Sequence, residues 1–314
     1  MSVILLISAG VLLLFFGGEM AIWASEQLAQ RLRIARRVVG LTLTALLTSL
    51  PEIFTNAVAG WEIPDQWPID TPHNAAGVAV GNVMGSNVAN ALLIGGIALV
   101  YGLSKKRVFR PSSYMALLAP FMTYGLAKDG VLNSFEALIL VGIWIMTMRH
   151  FSVYAWAERK ERKERALSKT PTAVSVLVLL VGGGLMWIGG VYCVNGALLW
   201  VEKTSLGAIA AGAILGLGTS LPELAVVVAA LRKGSFQVME GNILGSNVVN
   251  PLVALPAVTF GGAVAMPNFL PSTLWAFLAT AVFLAGTKAS QPLKRILGGL
   301  AIVGYFGFLA AGLA

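Results

Sequence analysis

The sequence predicts an all-α multi-pass membrane protein: ten transmembrane helices arranged as two inverted five-helix repeats. Three observations lead there: an apolar composition, a one-sided distribution of positive charge, and a pair of motifs that occurs twice. Of 314 residues, 57% are hydrophobic and only 11% charged, with a mean hydropathy of +0.81. A soluble domain carries about a quarter charged residues, so a bilayer is the expected solvent. Apolar stretches of helical length then give ten spans, over 2–24, 38–60, 74–101, 113–126, 131–148, 172–197, 205–231, 237–261, 269–287 and 296–313. The fourth is at the lower limit for a helix that crosses unaided. No Lys or Arg precedes the first, and it is too long for a signal-peptide core, so it is expected in the mature protein. Cys193 is the single cysteine, which excludes a disulfide framework or a cysteine-based metal cluster.

Charge orients these spans. Twenty of the 22 Lys and Arg residues fall in alternate connections, within 31–37, 105–110, 149–169, 232–233 and 288–295. Only Lys128 and Lys203 lie on the other side. Basic loops stay in the cytoplasm, so both termini are expected on the outer face of the cell (inner) membrane. The net charge of +8 is thereby a topology signal, and no nucleic-acid partner is expected. The stretch Glu158–Arg165 (ERKERKER) alternates in sign and reads as a solvated linker. The expected organisation is a first repeat over 1–148, a basic cytoplasmic linker over 149–171, and a second, inverted repeat over 172–314.

The duplicated motifs carry the functional argument. Thr48-Ser49-Leu50-Pro51-Glu52 recurs without change as Thr219-Ser220-Leu221-Pro222-Glu223. The segment from Gly81 to Asn90 (GNVMGSNVAN) recurs from Gly241 to Asn250 (GNILGSNVVN), with seven of ten positions identical. The offsets are 171 and 160, and the longer outer loop near 61–73 absorbs the difference. An odd number of spans per half inverts the second copy. Inverted repeats with Pro-interrupted helices at matching positions point to a secondary transporter with its site at the membrane midplane.

Glu52 and Glu223 lie deep in their spans, where an acidic side chain costs about 2.5–3.5 kcal/mol. No basic residue lies at comparable depth, so a cation or a proton must neutralise them. Thr48 and Ser49 precede Glu52 by four and three residues, on one helix face, and Thr219 and Ser220 stand likewise to Glu223. Ser86 and Asn90 are four apart, as are Ser246 and Asn250. Pro51 and Pro222 free the carbonyls of Leu47 and Gly218. All these ligands are oxygens, which suits hard ions such as Ca²⁺ and Na⁺. Two carboxylates balance one Ca²⁺ or at least two Na⁺, and competition for them would give obligatory exchange. Gly81, Gly85, Gly241 and Gly245 are expected to serve close packing, while Asn82, Asn87, Asn242 and Asn247 either bond between helices or touch ions. Glu19 and Glu136 fall near span ends. Glu240, with Val80 at the equivalent position, is expected near the cytoplasmic entrance.

At these residues the chain resembles the sodium/calcium exchangers of the cation/calcium antiporter superfamily. The resemblance rests on the paired TSLPE and GN-x-x-GSN-x-x-N segments. It implies Ca²⁺ export driven by Na⁺ entry, with more than two Na⁺ per Ca²⁺. It implies four motif helices around the ions, with long first and sixth helices as a sliding gate pair. The implied ion ligands are Thr48, Ser49, Glu52, Ser86 and Asn90 from the first half, and Thr219, Ser220, Glu223, Ser246 and Asn250 from the second. The backbone carbonyls of Ala45 and Gly216 are second-rank candidates. Some relatives carry aspartate where this chain has Asn250, and Leu47 stands where the family often has glycine.

No enzyme and no resident cofactor are expected; the partners are the transported ions and the lipid bilayer, and the chain is expected to be monomeric. The nearest alternative is a proton/calcium antiporter of the same superfamily. Those proteins resemble this one but place an acidic residue and a histidine in the second motif, where this chain has Gly-Ser-Asn. A passive cation channel is the alternative from another class. An intramembrane hydrolase would need a Ser–His pair at depth, and both His73 and His150 lie at loop edges.

Overall fold

A computed structural model describes residues 2–31, 44–61, 71–101, 110–157, 170–204, 207–232 and 236–313. The ERKERKER linker and the outer loop over 62–70 lie outside the described residues. The chain is an all-α membrane protein. Among the described residues, seven helical stretches are long and apolar enough to cross a bilayer: Val3–Ala21, Ala75–Tyr101, Thr172–Lys203, Ala208–Arg232, Met239–Gly261, Leu270–Lys288 and Gln291–Ala311. The expected second, fourth and fifth spans also form helix, over Thr44–Trp61 with one break, Arg110–Leu126 and Ser134–Ala157.

The outer members are regular. Helices α1 (Val3–Arg31) and α8 (Thr172–Lys203) pack along each other. Glycines set their separation: a β-carbon on Gly10 would come within 2.8 Å of the Gly189 carbonyl oxygen, and one on Gly17 within 2.6 Å of that of Gly182. In lipid, close backbone approach lets dispersion forces hold such a pair.

The motif spans are broken. The second is α2 (Thr44–Thr48) and α3 (Leu50–Trp61), interrupted at Ser49. The seventh is α9 (Ala208–Thr219) and α10 (Leu221–Arg232), interrupted at Ser220. In each, a proline one residue into the new segment lacks the N–H that would continue the ladder. The third span is α4 (Thr71–Val88), a π-helical turn over Ala89–Ile94, and α5 (Gly95–Tyr101). The eighth is α11 (Phe236–Val249), a π-helical turn over Asn250–Ala254, and a 3₁₀ turn over Pro256–Gly261. Such π turns recur at functional sites. Here they begin at or beside the two asparagines that close the duplicated motif.

The remaining helices surround this core: α6 (Arg110–Leu126), α7 (Ser134–Ala157), α12 (Leu270–Lys288) and α13 (Gln291–Leu313). A short antiparallel ladder joins β1 (Val131–Leu132) to β2 (Val264–Ala265). It has no signal in the apolar periodicity. Glu136 is engaged at a helix start, where its Oε2 accepts from the Asn133 N–H at 2.9 Å, while Asn133 Oδ1 accepts from the Glu136 N–H at 3.0 Å. That reciprocal pair is a capping box for α7. Of the expected packing glycines, Gly81 and Gly85 lie against α9, and a β-carbon on Gly85 would sit 2.6 Å from Ala213 Cα.

Candidate functional site

The broken helices bring the duplicated motifs together. Thr48 ends α2, Ser49 is the break, and Glu52 lies in the first turn of α3; Thr219, Ser220 and Glu223 repeat this around α9 and α10. Ser86 in α4 and Ser246 in α11 face them. All these side chains are buried, both glutamates at 0% exposure, so the cluster is closed to both faces in this conformation.

Each glutamate is held by one serine from each half. Glu52 Oε1 accepts from Ser86 Oγ at 3.1 Å and from Ser220 Oγ at 3.3 Å. Glu223 Oε1 accepts from Ser246 Oγ at 3.2 Å and from Ser49 Oγ at 3.2 Å. The crossed serine contacts bring the two carboxylates into electrostatic reach of each other. Each Oε2 is buried and has no hydrogen-bond partner among the described residues. A buried anionic oxygen left so is costly, and a cation is the partner that it suits.

The threonines complete the arrangement. Thr219 Oγ1 donates to Asn82 Oδ1 at 3.0 Å or to the Gly216 carbonyl at 3.2 Å. Thr48 Oγ1 stands 3.3 Å from both Asn242 Oδ1 and the Ala45 carbonyl. Each threonine also lies 3.4 Å from the serine of the opposite motif, Ser246 or Ser86. The second-rank carbonyls are therefore engaged: Ala45 also receives the Ser49 N–H, and Gly216 receives the Ser220 N–H and Ser86 Oγ.

The two asparagines differ. Asn250 Nδ2 donates to Asn87 Oδ1 at 3.0 Å, which leaves its Oδ1 unpartnered. Neither side-chain polar atom of Asn90 is hydrogen-bonded. Both residues are fully buried. Beside them, Asn87 Nδ2 donates to the Asn247 carbonyl and Asn247 Nδ2 to the Asn87 carbonyl, both at 3.2 Å. That reciprocal clasp ties the third span to the eighth, and it accounts for two of the asparagines expected between helices.

Four candidate ligand oxygens, Glu52 Oε2, Glu223 Oε2, Asn90 Oδ1 and Asn250 Oδ1, are thus buried and free of hydrogen bonds. Among the described residues no group of three His, Cys, Asp or Glu side chains forms a metal cluster. The chemistry available is oxygen coordination by two carboxylates, hydroxyls and amides. Glu240 lies apart from it, at 9% exposure, attracted by Lys294 of α13. Sequence reasoning passed over Asn56 entirely, because position 227 of the second copy is Val and no duplication marks it.

An all-helical membrane bundle with two buried acids among hydroxyls and amides has the oxygen chemistry that a cation transporter uses. The family model described as sodium/calcium exchanger protein matches residues 2–153 and 174–313. The chain belongs to the sodium/calcium exchanger family. The putative antiporter CaxA of Alkalimonas amylolytica is 27% identical over 95% of each chain. The inner membrane protein YrbG of Escherichia coli is 26% identical, covering 97% of this chain and 95% of its own. The sodium/calcium exchanger MaX1 of Methanosarcina acetivorans is 24% identical over 97% of each. Among solved structures, the sodium-calcium exchanger NCX_Mj soaked with 10 mM Na⁺ and 10 mM Sr²⁺ superposes with a TM-score of 0.66. It is 22% identical and covers 98% of this chain, and so speaks to the fold alone.

Proposed function

We propose that this chain exchanges Na⁺ for Ca²⁺ across the membrane by alternating access, with the cations held between Glu52 and Glu223. One observation carries the reading: two buried carboxylates, one from each repeat, are each held through one oxygen by serines of both repeats and leave the other oxygen unpartnered. Their joint charge of −2 matches one Ca²⁺ or two Na⁺, and hard oxygen ligands suit both ions. The remaining ligands are Thr48, Ser49, Ser86, Asn90, Thr219, Ser220, Ser246 and Asn250. The Ala45 and Gly216 carbonyls join when the hydroxyls and N–H groups that now occupy them shift.

The finer architecture belongs to the same proposal. Ten helices cross the membrane as two inverted sets of five, and both termini face outward. The name of YrbG, an inner membrane protein, supports a place in the cell (inner) membrane, and the name of MaX1 supports sodium as the coupling ion. The test is Ca²⁺ uptake into proteoliposomes under imposed Na⁺, H⁺ or K⁺ gradients. The reading expects uptake with an outward Na⁺ gradient and none with a proton gradient alone. Uptake driven by protons alone would establish the proton/calcium alternative, and Ca²⁺ flux that needs no counter-ion a channel.

A further inference from the structure

Building on that exchange reading, we propose that Asn56 is a positioning residue for ion binding: through Asn82 it fixes the hydroxyl of Thr219, and the second repeat has no counterpart. Asn56 lies one helical turn beyond Glu52 and is fully buried. Its Nδ2 donates to the Ala254 carbonyl at 3.0 Å and to that of Ala79 at 3.4 Å. Carbonyls only accept, so this amide has one orientation, and its Oδ1 must face Asn82. Asn82 Nδ2 donates to it at 3.0 Å, which turns Asn82 Oδ1 towards Thr219. That oxygen, at 3.0 Å, is the nearest of the acceptors around the Thr219 hydroxyl, and a proton held there leaves the Thr219 lone pairs for a cation.

The second repeat lacks this relay. The offset of 171 that aligns the Thr-Ser-Leu-Pro-Glu segments puts Val227 where Asn56 stands, buried at 0% exposure. Asn242, the counterpart of Asn82, accordingly has an unpartnered Nδ2. Its Nδ2 end is not anchored as that of Asn82 is, so the 3.3 Å contact with Thr48 alone does not fix the amide, and a flipped Asn242 would donate to Thr48. Thr48 would then spend a lone pair on the amide and turn its proton elsewhere, towards the ions. The local backbone explains the inequality. Ala254 precedes a 3₁₀ turn in which the Val258 N–H, the ladder donor that Ala254 would otherwise receive, goes to Leu255, so its carbonyl is open to Asn56. Ile94, its equivalent at the offset of 160, runs into α-helix over Gly95–Tyr101, and the ladder takes its carbonyl. An amide at position 227 would have no such acceptor.

The experiment is a double-mutant cycle on equilibrium ⁴⁵Ca²⁺ binding and its displacement by Na⁺, measured on the purified full chain. N56V is compared alone, with T219V and with T48V. N56V is expected to weaken apparent cation affinity about 2- to 10-fold, the worth of one buried neutral hydrogen bond. With T219V already present it should add less than about twofold, whereas with T48V its full factor should remain. Equal, additive effects in both backgrounds, or no effect of N56V, would overturn the proposal. Should N56V not fold, N56S carries the same cycle, because its short side chain reaches neither Asn82 nor Ala254. Failure of the exchange reading is separate: it appears as wild-type protein that binds Ca²⁺ but moves none against Na⁺.

Discussion

Glu52 and Glu223 are partnered by serines through one oxygen each, so replacing either with glutamine keeps shape while removing charge. On the ion-binding reading, E52Q and E223Q should each lower Na⁺-driven Ca²⁺ uptake more than tenfold, with normal elution of the purified protein on size exclusion. The Asn87–Asn247 clasp makes a different prediction. N247A removes the donor to the Asn87 carbonyl and the bond to Thr280 Oγ1. The variant should lose about 1–3 kcal/mol of stability, read as a lower melting temperature of the detergent-solubilised protein. Residues of the first kind are legible in the sequence because duplication flags them and lipid makes an unpaired acid conspicuous. Asn56 is not, since its proposed role depends on the carbonyl of Ala254, some two hundred residues away, which the following 3₁₀ turn leaves open, and no pattern in one copy announces that.

Helices record a similar division. Proline at the second position of α3 and of α10 announces both breaks, and apolar length announces most of the helices. The π turn over Ala89–Ile94 has no such marker, whereas that over Asn250–Ala254 carries Pro251 at its second position; both follow closely on the clasp where the third and eighth spans meet. Close approach of α1 and α8 gives this scale its prediction. Valine at Gly17 would drive side-chain atoms into the Gly182 carbonyl and Met186, so G17V should destabilise the pair by about 1–3 kcal/mol. At Gly299 nothing lies within 4 Å of an added β-carbon, and G299A should melt within about 0.5 kcal/mol of wild type. Equal melting shifts for the two would show that the glycine contacts do not set the spacing.

For the molecule as a whole, charge placement makes the orientation testable. Cys193 is the sole cysteine and is buried, so a C193A background accepts single reporters. Cysteines at Ser2 and Thr204 should react in intact cells with an impermeant maleimide, and one at Ser290 only after the membrane is opened. Labelling at Ser290 in intact cells would reverse the proposed topology. Composition makes the all-α membrane class readable and charge gives an orientation for the labelling to test, whereas the exchanged ions depend on free energies spread over many oxygens. Those are best measured at equilibrium: ⁴⁵Ca²⁺ binding to the purified protein across a Na⁺ titration, with the E52Q/E223Q double variant alongside. We expect Na⁺ to displace Ca²⁺ with a Hill slope above one, and the double variant to bind neither. Ca²⁺ binding that ignores Na⁺, or that survives loss of both carboxylates, would contradict the account.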